Sequence, residues 1–301
     1  MIMTINIGGD FFNHLYSFYF VTYYGGYFLF IGPYFLASTP LAVLAFRIVW
    51  SLVFCFILLL INKQSKDIKK VFLDKRQMRF LFFASIVVTI NWGSYIVAIS
   101  AGRLLDASLA YYMHPIFSIV LGYFVYREKL SKLQWFAFYS ALIGVSLPIF
   151  AYGQIPYFAI IIGTSFAVYG AIKKQVEVSG ILSIFMETLL ICPLAFAYLF
   201  LKLNPADVSS MQWMLLPTTG IVTSLPLILF AIGIKNTSLS LSGILMYINP
   251  TIQLLIAVFF YNEEFTRLHF FMFIFVWLGV FLFLFDSLRS LKKSRNKEKQ
   301  L

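Results

Sequence analysis

The sequence predicts an all-α polytopic membrane protein with ten transmembrane helices, arranged as two inverted repeats of five helices each. Three observations lead to this fold class: the composition, ten apolar segments of spanning length, and a match between the two halves of the chain. Of the 301 residues, 61% are hydrophobic and only 12% are charged. Soluble domains carry about 25% charged residues, and one soluble core could not bury this much apolar surface. The bilayer is therefore the expected solvent for most of the chain.

Ten apolar segments are long enough to cross a bilayer, which takes about 20 residues per helix. The first segment is the least regular, because Gly25, Gly26 and Pro33 interrupt it. No positively charged stretch precedes it, so we expect no cleaved signal peptide. The predicted spans lie near residues 15–36, 41–61, 79–99, 104–125, 133–152, 155–172, 180–201, 212–234, 239–260 and 268–286.

The basic residues between these segments predict the orientation of the chain. Nineteen Lys and Arg residues, including Lys173 and Lys174 after the sixth span, fall in the loops after even-numbered spans or in the C-terminal tail. Only Arg103, Lys202 and Arg267 fall on the opposite side. Cytoplasmic loops are enriched in Lys and Arg, so we expect a cell (inner) membrane protein with both termini in the cytoplasm. The net charge of +11 reflects this bias and not a nucleic-acid-binding face.

The two halves of the chain match at an offset of 135 residues. Over residues 104–150, 13 of 47 positions are identical in the second half without a gap. Tyr112 and Pro115, for example, correspond to Tyr247 and Pro250. Five spans per copy is an odd number, so the copies must cross the membrane in opposite directions, as is characteristic of secondary transporters. An ancient duplication in a non-transporting protein is the alternative. The predicted domains are the two repeats, 15–152 and 153–286, and a basic cytoplasmic tail, 287–301.

A series of short motifs runs from Arg47 to Asp286 in a defined order. They are Arg47-x-x-Trp50-Ser51, Asn91-Trp92, Ala107-Ser108-Leu109-Ala110-Tyr111, His114-Pro115, Glu128-Lys129, Gln134-Trp135, Tyr169-Gly170, Glu187-Thr188, Pro193 and Tyr247-x-Asn249-Pro250. In this order they resemble the drug/metabolite transporter superfamily, specifically RarD-type proteins with two EamA domains. The resemblance implies ten spans in a 5+5 inverted arrangement and a permease function. The first span departs from the family pattern, because Gly32-Pro33-Tyr34 is not followed by a Lys.

Ionisable side chains inside apolar segments are the first candidates for transport. An Arg at mid-helix costs about 2.5–3.5 kcal/mol on insertion scales, so Arg47 must be paired or face water. We expect it to anchor a solute carboxylate or phosphate; snorkelling to the outer surface and a structural pair are the alternatives. Glu187 is the candidate coupling residue, because burial favours the protonated form of a carboxyl group. The alternatives for this carboxylate are exposure to a cytoplasmic vestibule or a fixed ion pair with Lys173, Lys174 or Arg47.

Polar residues in three further spans complete the predicted solute site. Asn91, Trp92 and Tyr95 lie midway along the third span; helix–helix hydrogen bonding is the alternative role. In the fourth and ninth spans, Pro115 and Pro250 are predicted mid-helix kinks that free the carbonyl four residues earlier. A purely structural kink is the alternative. The solute-binding residues predicted beside these prolines are Tyr112, His114, Tyr247 and Asn249.

Two carboxylates that both repeats retain are predicted to be structural. Glu128 and Glu263 lie in loops, directly before Ser131 and Thr266. These two residues precede apolar segments and have the side chains preferred at helix N-caps. We therefore assign neither carboxylate to the solute.

These features together predict a secondary transporter, or permease, that exports a small metabolite or drug by alternating access between the two repeats. The sequence has no GxxxxGK[ST] motif for ATP and no metal-ligand spacing. We therefore predict no catalytic residue, cofactor or metal. The expected partners are a small-molecule solute, a coupling proton and membrane lipid, without nucleic acid, in a monomer or homodimer. The alternatives are a channel or scaffold and an intramembrane enzyme that pairs His114 with Glu187.

Overall fold

A computed structural model describes residues 40–153, 155–260 and 266–298, and over these residues the chain is helical with no strand. Two short 3₁₀ turns, Pro205–Asp207 and Ile234–Asn236, follow the seventh and eighth helices. The predicted first span and Glu263 lie outside the described residues. The helices are α1 (Pro40–Ile61), α2 (Asp67–Leu73), α3 (Lys75–Ser100), α4 (Leu104–Phe124), α5 (Lys132–Tyr152), α6 (Tyr157–Lys174), α7 (Gly180–Lys202), α8 (Ser210–Gly233), α9 (Leu239–Leu245), α10 (Ile248–Phe260) and α11 (Arg267–Glu298).

Six of these helices are long and apolar enough to cross a membrane, namely α1, α3, α5, α7, α8 and the Arg267–Ser290 part of α11. A multi-pass, all-helical protein is therefore confirmed, whereas the count of ten spans stays a prediction. The second to eighth predicted spans correspond, in order, to α1 and α3–α8. Each span begins and ends within four residues of the ends of its helix. The last helix continues beyond the predicted tenth span, through most of the basic tail, to Glu298.

Polar side chains fix where several helices begin. Ser131 Oγ accepts the Gln134 N–H at 3.1 Å, and Gln134 Oε1 accepts the Ser131 N–H at 3.0 Å. This reciprocal capping box satisfies two donors that an α-helix leaves open. Ser209 forms the same box at the start of α8, and Thr266 Oγ1 accepts the His269 N–H before α11. Ser131 and Thr266 thus have the capping roles predicted from their positions.

The predicted ninth span is not one continuous helix. It is divided into α9, which ends at Leu245, and α10, which begins at Ile248. Pro250 consequently lies in the first turn of α10, where a backbone N–H would have no intrahelical acceptor. The carbonyl of Met246, which we expected Pro250 to free, accepts the Asn249 N–H at 3.1 Å. The predicted kink at Pro250 thus takes the form of a break at Met246 and Tyr247, in the turn before the proline, where its missing N–H leaves the helical ladder incomplete.

The described chain forms two compact units, each drawn from both halves of the sequence. Unit 1 contains residues 40–96 and 172–237, and unit 2 contains residues 97–171 and 238–298. The divisions fall within α3 and α6, so each unit combines helices from both predicted repeats. The repeat boundaries remain a prediction from the sequence, and the compact units are a different division of the same chain.

In unit 1, α1 packs against α8 in a parallel orientation. The Phe46 ring meets the Trp213 ring edge-on at 5.5 Å, near the first residues of both helices. One turn further along α1, a Cβ added to Gly220 would stand 2.3 Å from the Trp50 carbonyl oxygen. Because later residues of α1 meet later residues of α8, the two helices run in the same direction. Gly220 allows their backbones to approach closely, as small residues do in membrane bundles.

In the same unit, α1 packs against α7 in an antiparallel orientation. Near the end of α1, the Phe56 ring stacks on Phe185 at 5.9 Å, early in α7. Near the start of α1, Val43 belongs to an apolar cluster against which Leu199, late in α7, packs. Early residues of one helix therefore meet late residues of the other.

Unit 2 contains a reciprocal contact between α5 and α11. A Cβ added to Gly144 would stand 2.9 Å from the Met272 carbonyl oxygen. A Cβ added to Gly279 would stand 2.7 Å from the Ala137 carbonyl oxygen. Gly279 and Met272 are the residues 135 positions after Gly144 and Ala137. The two contacts are thus copies of one another, and the two helices are antiparallel.

Two further contacts in unit 2 join a residue to its own counterpart in the other half. Ser140 Oγ donates to the Phe275 carbonyl oxygen at 2.7 Å. The rings of Tyr112 and Tyr247 lie 6.4 Å apart. Both pairs have the 135-residue offset. Self-complementary contacts of this kind arise around a two-fold axis, so a local pseudo-two-fold axis passes close to both pairs.

Candidate functional site

Arg47 lies on α1 and is 9% exposed. Its Nε donates to Thr223 Oγ1 on α8 at 3.1 Å. Its Cζ lies 5.0 Å from the centroid of the Trp92 ring on α3, which is cation–π distance. The structure therefore brings together two predicted site residues, Arg47 and Trp92, and adds Thr223, which we had not singled out.

The Arg47 side chain extends away from the nearer end of its helix. Since Trp50 lies opposite Gly220 on a parallel helix, Thr223 is level with a position about one turn beyond Trp50. Arg47 and Thr223 are thus separated by some six residues along the helix axis, roughly 9 Å at 1.5 Å per residue, a distance that the two side chains span together. Their hydrogen bond lies on the C-terminal side of Arg47. Snorkelling would instead direct the guanidinium toward the nearby start of α1.

Other polar groups lie next to this cluster along the same helices. Ser51, one turn after Arg47, is fully buried, and its hydroxyl has no hydrogen-bond partner among the described residues. Asn91 is buried beside Trp92, and Tyr95 is half-buried one turn later. A buried polar group without a partner costs about 1–3 kcal/mol. Polar side chains thus lie next to both Arg47 and Trp92 along their helices.

Glu187 forms an ion pair inside unit 1. Lys173 Nζ donates to Glu187 Oε1 at 2.6 Å and also to Ser183 Oγ, and the Ser183 hydroxyl donates to Glu187 Oε1 at 2.8 Å. The Lys173 side chain is 0% exposed and that of Glu187 is 3% exposed. We had counted Lys173 as a cytoplasmic loop charge, and that was wrong: it lies in the last turn of α6 and is buried. The pair is one of the alternatives that the sequence left open for Glu187.

Three charged side chains are buried in the described part of unit 1. They are the cations Arg47 and Lys173 and the carboxylate of Glu187. Lys173 and Glu187 pair with each other, and Arg47 makes the contacts with Thr223 and Trp92 described above.

The predicted residues of the fourth and ninth spans lie in unit 2. Tyr112 donates to the Pro250 carbonyl oxygen at 3.3 Å and packs against Tyr247. His114 Nε2 lies 3.1 Å from Ser118 Oγ on the same helix, and Asn249 is half-buried. Pro115 lies inside α4. The predicted solute-binding residues thus divide into Arg47, Asn91, Trp92 and Tyr95 in unit 1, and Tyr112, His114, Tyr247 and Asn249 in unit 2.

Glu128 has the structural role predicted for it, although at a different helix. Its two carboxylate oxygens accept the Leu239 N–H at 2.6 Å and the Ser240 N–H at 3.0 Å. These are open donors at the start of α9, and a carboxylate there also complements the helix dipole. We had placed Glu128 before the cap of α5, whereas it caps the first half of the divided ninth span.

The EamA-like transporter family matches residues 12–150 and 155–285 of this chain. The chain belongs to the EamA-like transporter family. It is 40% identical to the "Uncharacterized transporter YojE" of Bacillus subtilis, over 85% of this chain and 88% of that protein. It is 35% identical to an "Uncharacterized transporter" of Vibrio cholerae, over 84% and 86% of the two chains. Protein RarD of Escherichia coli is 30% identical, over 84% of this chain and 87% of RarD.

A solved crystal structure matches the fold with a TM-score of 0.69 at 14% sequence identity, over 90% of this chain and 96% of its own. At that identity the likeness concerns the fold alone. The family and the relatives confirm the RarD-type EamA resemblance of the sequence motifs. This EamA protein is a multi-pass membrane transporter for a small-molecule solute, surrounded by lipid, and not an enzyme.

Proposed function

We propose that this EamA transporter is a ten-span secondary transporter that exports a small metabolite or drug across the inner membrane by alternating access. Its two five-helix repeats have opposite orientation, both termini are cytoplasmic, and it works as a monomer or homodimer. The observation that carries this proposal is the reciprocal contact of Gly144 and Gly279 in unit 2. Inverted repeats around a pseudo-two-fold axis provide two equivalent conformations, which is the basis of alternating access.

The helix directions within each unit support the same topology. With ten spans, α1 and α8 are the second and eighth spans and must cross in the same direction. The fifth and tenth spans, α5 and α11, must cross in opposite directions. The contacts of Trp50 with Gly220 and of Gly144 with Met272 agree with these two requirements.

Within this transporter we place the anchor for an anionic solute group at Arg47. The guanidinium is buried and held between Thr223 and Trp92. A carboxylate or phosphate would complement its positive charge, and Arg is well suited to both groups. Asn91 and Tyr95 remain proposed contributors from α3, and the unit 2 residues named above remain proposed solute contacts.

The proposal is tested by comparing metabolites inside and outside cells that lack the protein, overproduce it, or produce Arg47→Gln. We expect one or more compounds with a carboxylate or phosphate group to appear outside overproducing cells and to be retained with Arg47→Gln. Lys202→Gln, an exposed change at the end of α7, is the matched control and should export like the wild type. No difference in extracellular metabolites between any of these cells would refute export.

We further propose that transport is coupled to protons through Glu187, the buried carboxylate among the described residues of unit 1. One charge that crosses 100 mV supplies about 2.3 kcal/mol, and a tenfold solute gradient needs about 1.4 kcal/mol. Glu187→Gln retains the shape of the side chain but cannot titrate. In proteoliposomes it should abolish accumulation driven by a pH gradient and leave solute-for-solute exchange. Accumulation equal to that of the wild type after a pH jump would exclude Glu187 as the coupling residue.

A further inference from the structure

Lys173, Ser183 and Glu187 form a hydrogen-bonded group that joins the last turn of α6 to α7. Ser183 and Glu187 are one turn apart on α7 and therefore share a face. Lys173 donates to both, and Ser183 donates to Glu187. All three side chains are buried. The pair is thus a single charge-balanced unit removed from solvent.

The titratable groups that face this unit come from the neighbouring elements. The Cys55 thiol of α1 is close enough for the charges of Glu187 and Lys173 to act on it. From the turn after α8, Lys235 donates to the Val178 carbonyl oxygen, in the connection between α6 and α7. Burial, together with the nearby charge of Lys173, lowers the pKa of Lys235. The surroundings therefore contain a second cation, Lys235, and also the carboxylate of Glu177, whose charge acts on Lys235 in the opposite sense.

Protonation of Glu187 changes the charge balance of the whole group. With an ionised carboxylate the pair is neutral, whereas a proton on Glu187 leaves the buried ammonium of Lys173 without its counter-charge. Removing the charge of one partner of a buried pair is strongly unfavourable, because the other charge stays desolvated. Moving the ammonium of Lys173 toward water or another anion relieves this cost, and that movement separates Lys173 from α7.

We propose that Lys173 is a positioning residue that links proton binding at Glu187 to opening of the contact between the last turn of α6 and α7. This inference rests on the coupling role proposed for Glu187 and adds the means by which a proton becomes a conformational change. Lys173 does not touch the proton or the solute in this mechanism. It makes the position of the last turn of α6 depend on whether Glu187 carries a charge.

The buried Cys55 offers a readout of this opening that needs no solute. The two cysteines among the described residues are Cys55 and Cys192, both buried. The variant Cys192→Ser therefore leaves Cys55 to report on opening of the contact between α6 and α7. The measurement is the rate of N-ethylmaleimide labelling of purified full-length protein over a series of pH values. Each rate is divided by that of the unfolded protein at the same pH, to allow for titration of the thiol.

The variants separate a linked pair from a static one. In the Cys192→Ser background, normalised labelling should rise as the pH falls. Glu187→Gln should label fast at every pH, by about tenfold, a typical factor for two linked equilibria. Lys173→Arg should keep the pH profile, since it keeps the charge. The double variant Lys173→Met with Glu187→Gln has no buried charge in the pair and should label slowly at every pH.

The linkage would be overturned if labelling of the Cys192→Ser protein did not depend on pH and Glu187→Gln were labelled no faster. The Cys192→Ser measurement leaves Lys173 and Glu187 unaltered, so it does not depend on how well a variant of the pair folds. The transport and labelling results are separable. Transport independent of pH with the expected labelling profile would remove the coupling role of Glu187 and leave the linkage. Transport driven by pH with flat labelling would remove the linkage and leave the coupling role.

Discussion

The chemistry of Arg47 depends on features of a guanidinium that an ammonium lacks. Its Cζ lies over the Trp92 ring while its Nε is held by Thr223, and other N–H groups of the fork can meet a solute. Arg47→Lys keeps the charge but loses the planar fork. We expect export to fall about tenfold or more, since hydrogen bonds to charged groups contribute about 1.5–3 kcal/mol. The measurement is the initial rate of export in cells with matched amounts of protein in the membrane.

The second variant for this residue is Arg47→Gln, which removes the charge. It should abolish export, and Thr223→Val should have a smaller effect because it removes one partner of the guanidinium. Wild-type export by Arg47→Gln at normal abundance would dismiss the anchoring role. At this scale the sequence singled out Arg47 as a charge inside an apolar segment, and Trp92 for its place beside Asn91 midway along the third span. It could not single out Thr223, and it named Lys173 only as one of three possible partners of Glu187, because these contacts join different helices.

At the scale of helices, hydropathy was sufficient to locate α1 and α3–α8, because a helix must cover a fixed thickness of bilayer. The capping box of Ser131 and Gln134 was also predictable, since it is local. Pro250 indicated a disturbed helix, but not that one helix ends at Leu245 and another begins at Ile248. The position of Lys173 was misjudged because a count of basic loop residues treats every cation near a helix end as solvated.

The contact between α1 and α8 gives a testable prediction at this scale. A Cβ on Gly220 would meet the Trp50 backbone at 2.3 Å, and a backbone cannot move aside as a flexible side chain can. Gly220→Ala should lower stability by about 1–3 kcal/mol, the usual cost of overpacking. Gly93→Ala is the matched control, because its Cβ would stand 3.7 Å from Leu44 Cδ2, and Ala favours a helix. Thermal unfolding in detergent checks both; equal midpoints would contradict the close contact.

At the scale of the whole molecule, the 135-residue offset paired residues that the structure brings into contact. Ser140 bonds to Phe275, and the rings of Tyr112 and Tyr247 lie against each other in unit 2. The sequence did not predict that each compact unit takes helices from both halves, because a repeat in sequence does not specify which copies pack together.

The predicted topology is a property of the whole chain and is open to reporter fusions. Fusions after Lys70, Arg127 and Lys293 should report the cytoplasm, and fusions after Gln154 and Asn204 should report the far side. The expectation follows from the excess of basic residues on one side. A C-terminus on the far side would contradict the ten-span arrangement.

The central claim is that the protein alternates between two conformations around one solute site, and counterflow tests it most directly. Proteoliposomes are loaded with the unlabelled solute found by the metabolite comparison and diluted into a trace of labelled solute. Alternating access predicts a transient accumulation of label above its external concentration, which is lost with Arg47→Gln. Label that only equilibrates, without a transient excess and with flux that does not saturate, would contradict alternating access and identify a channel.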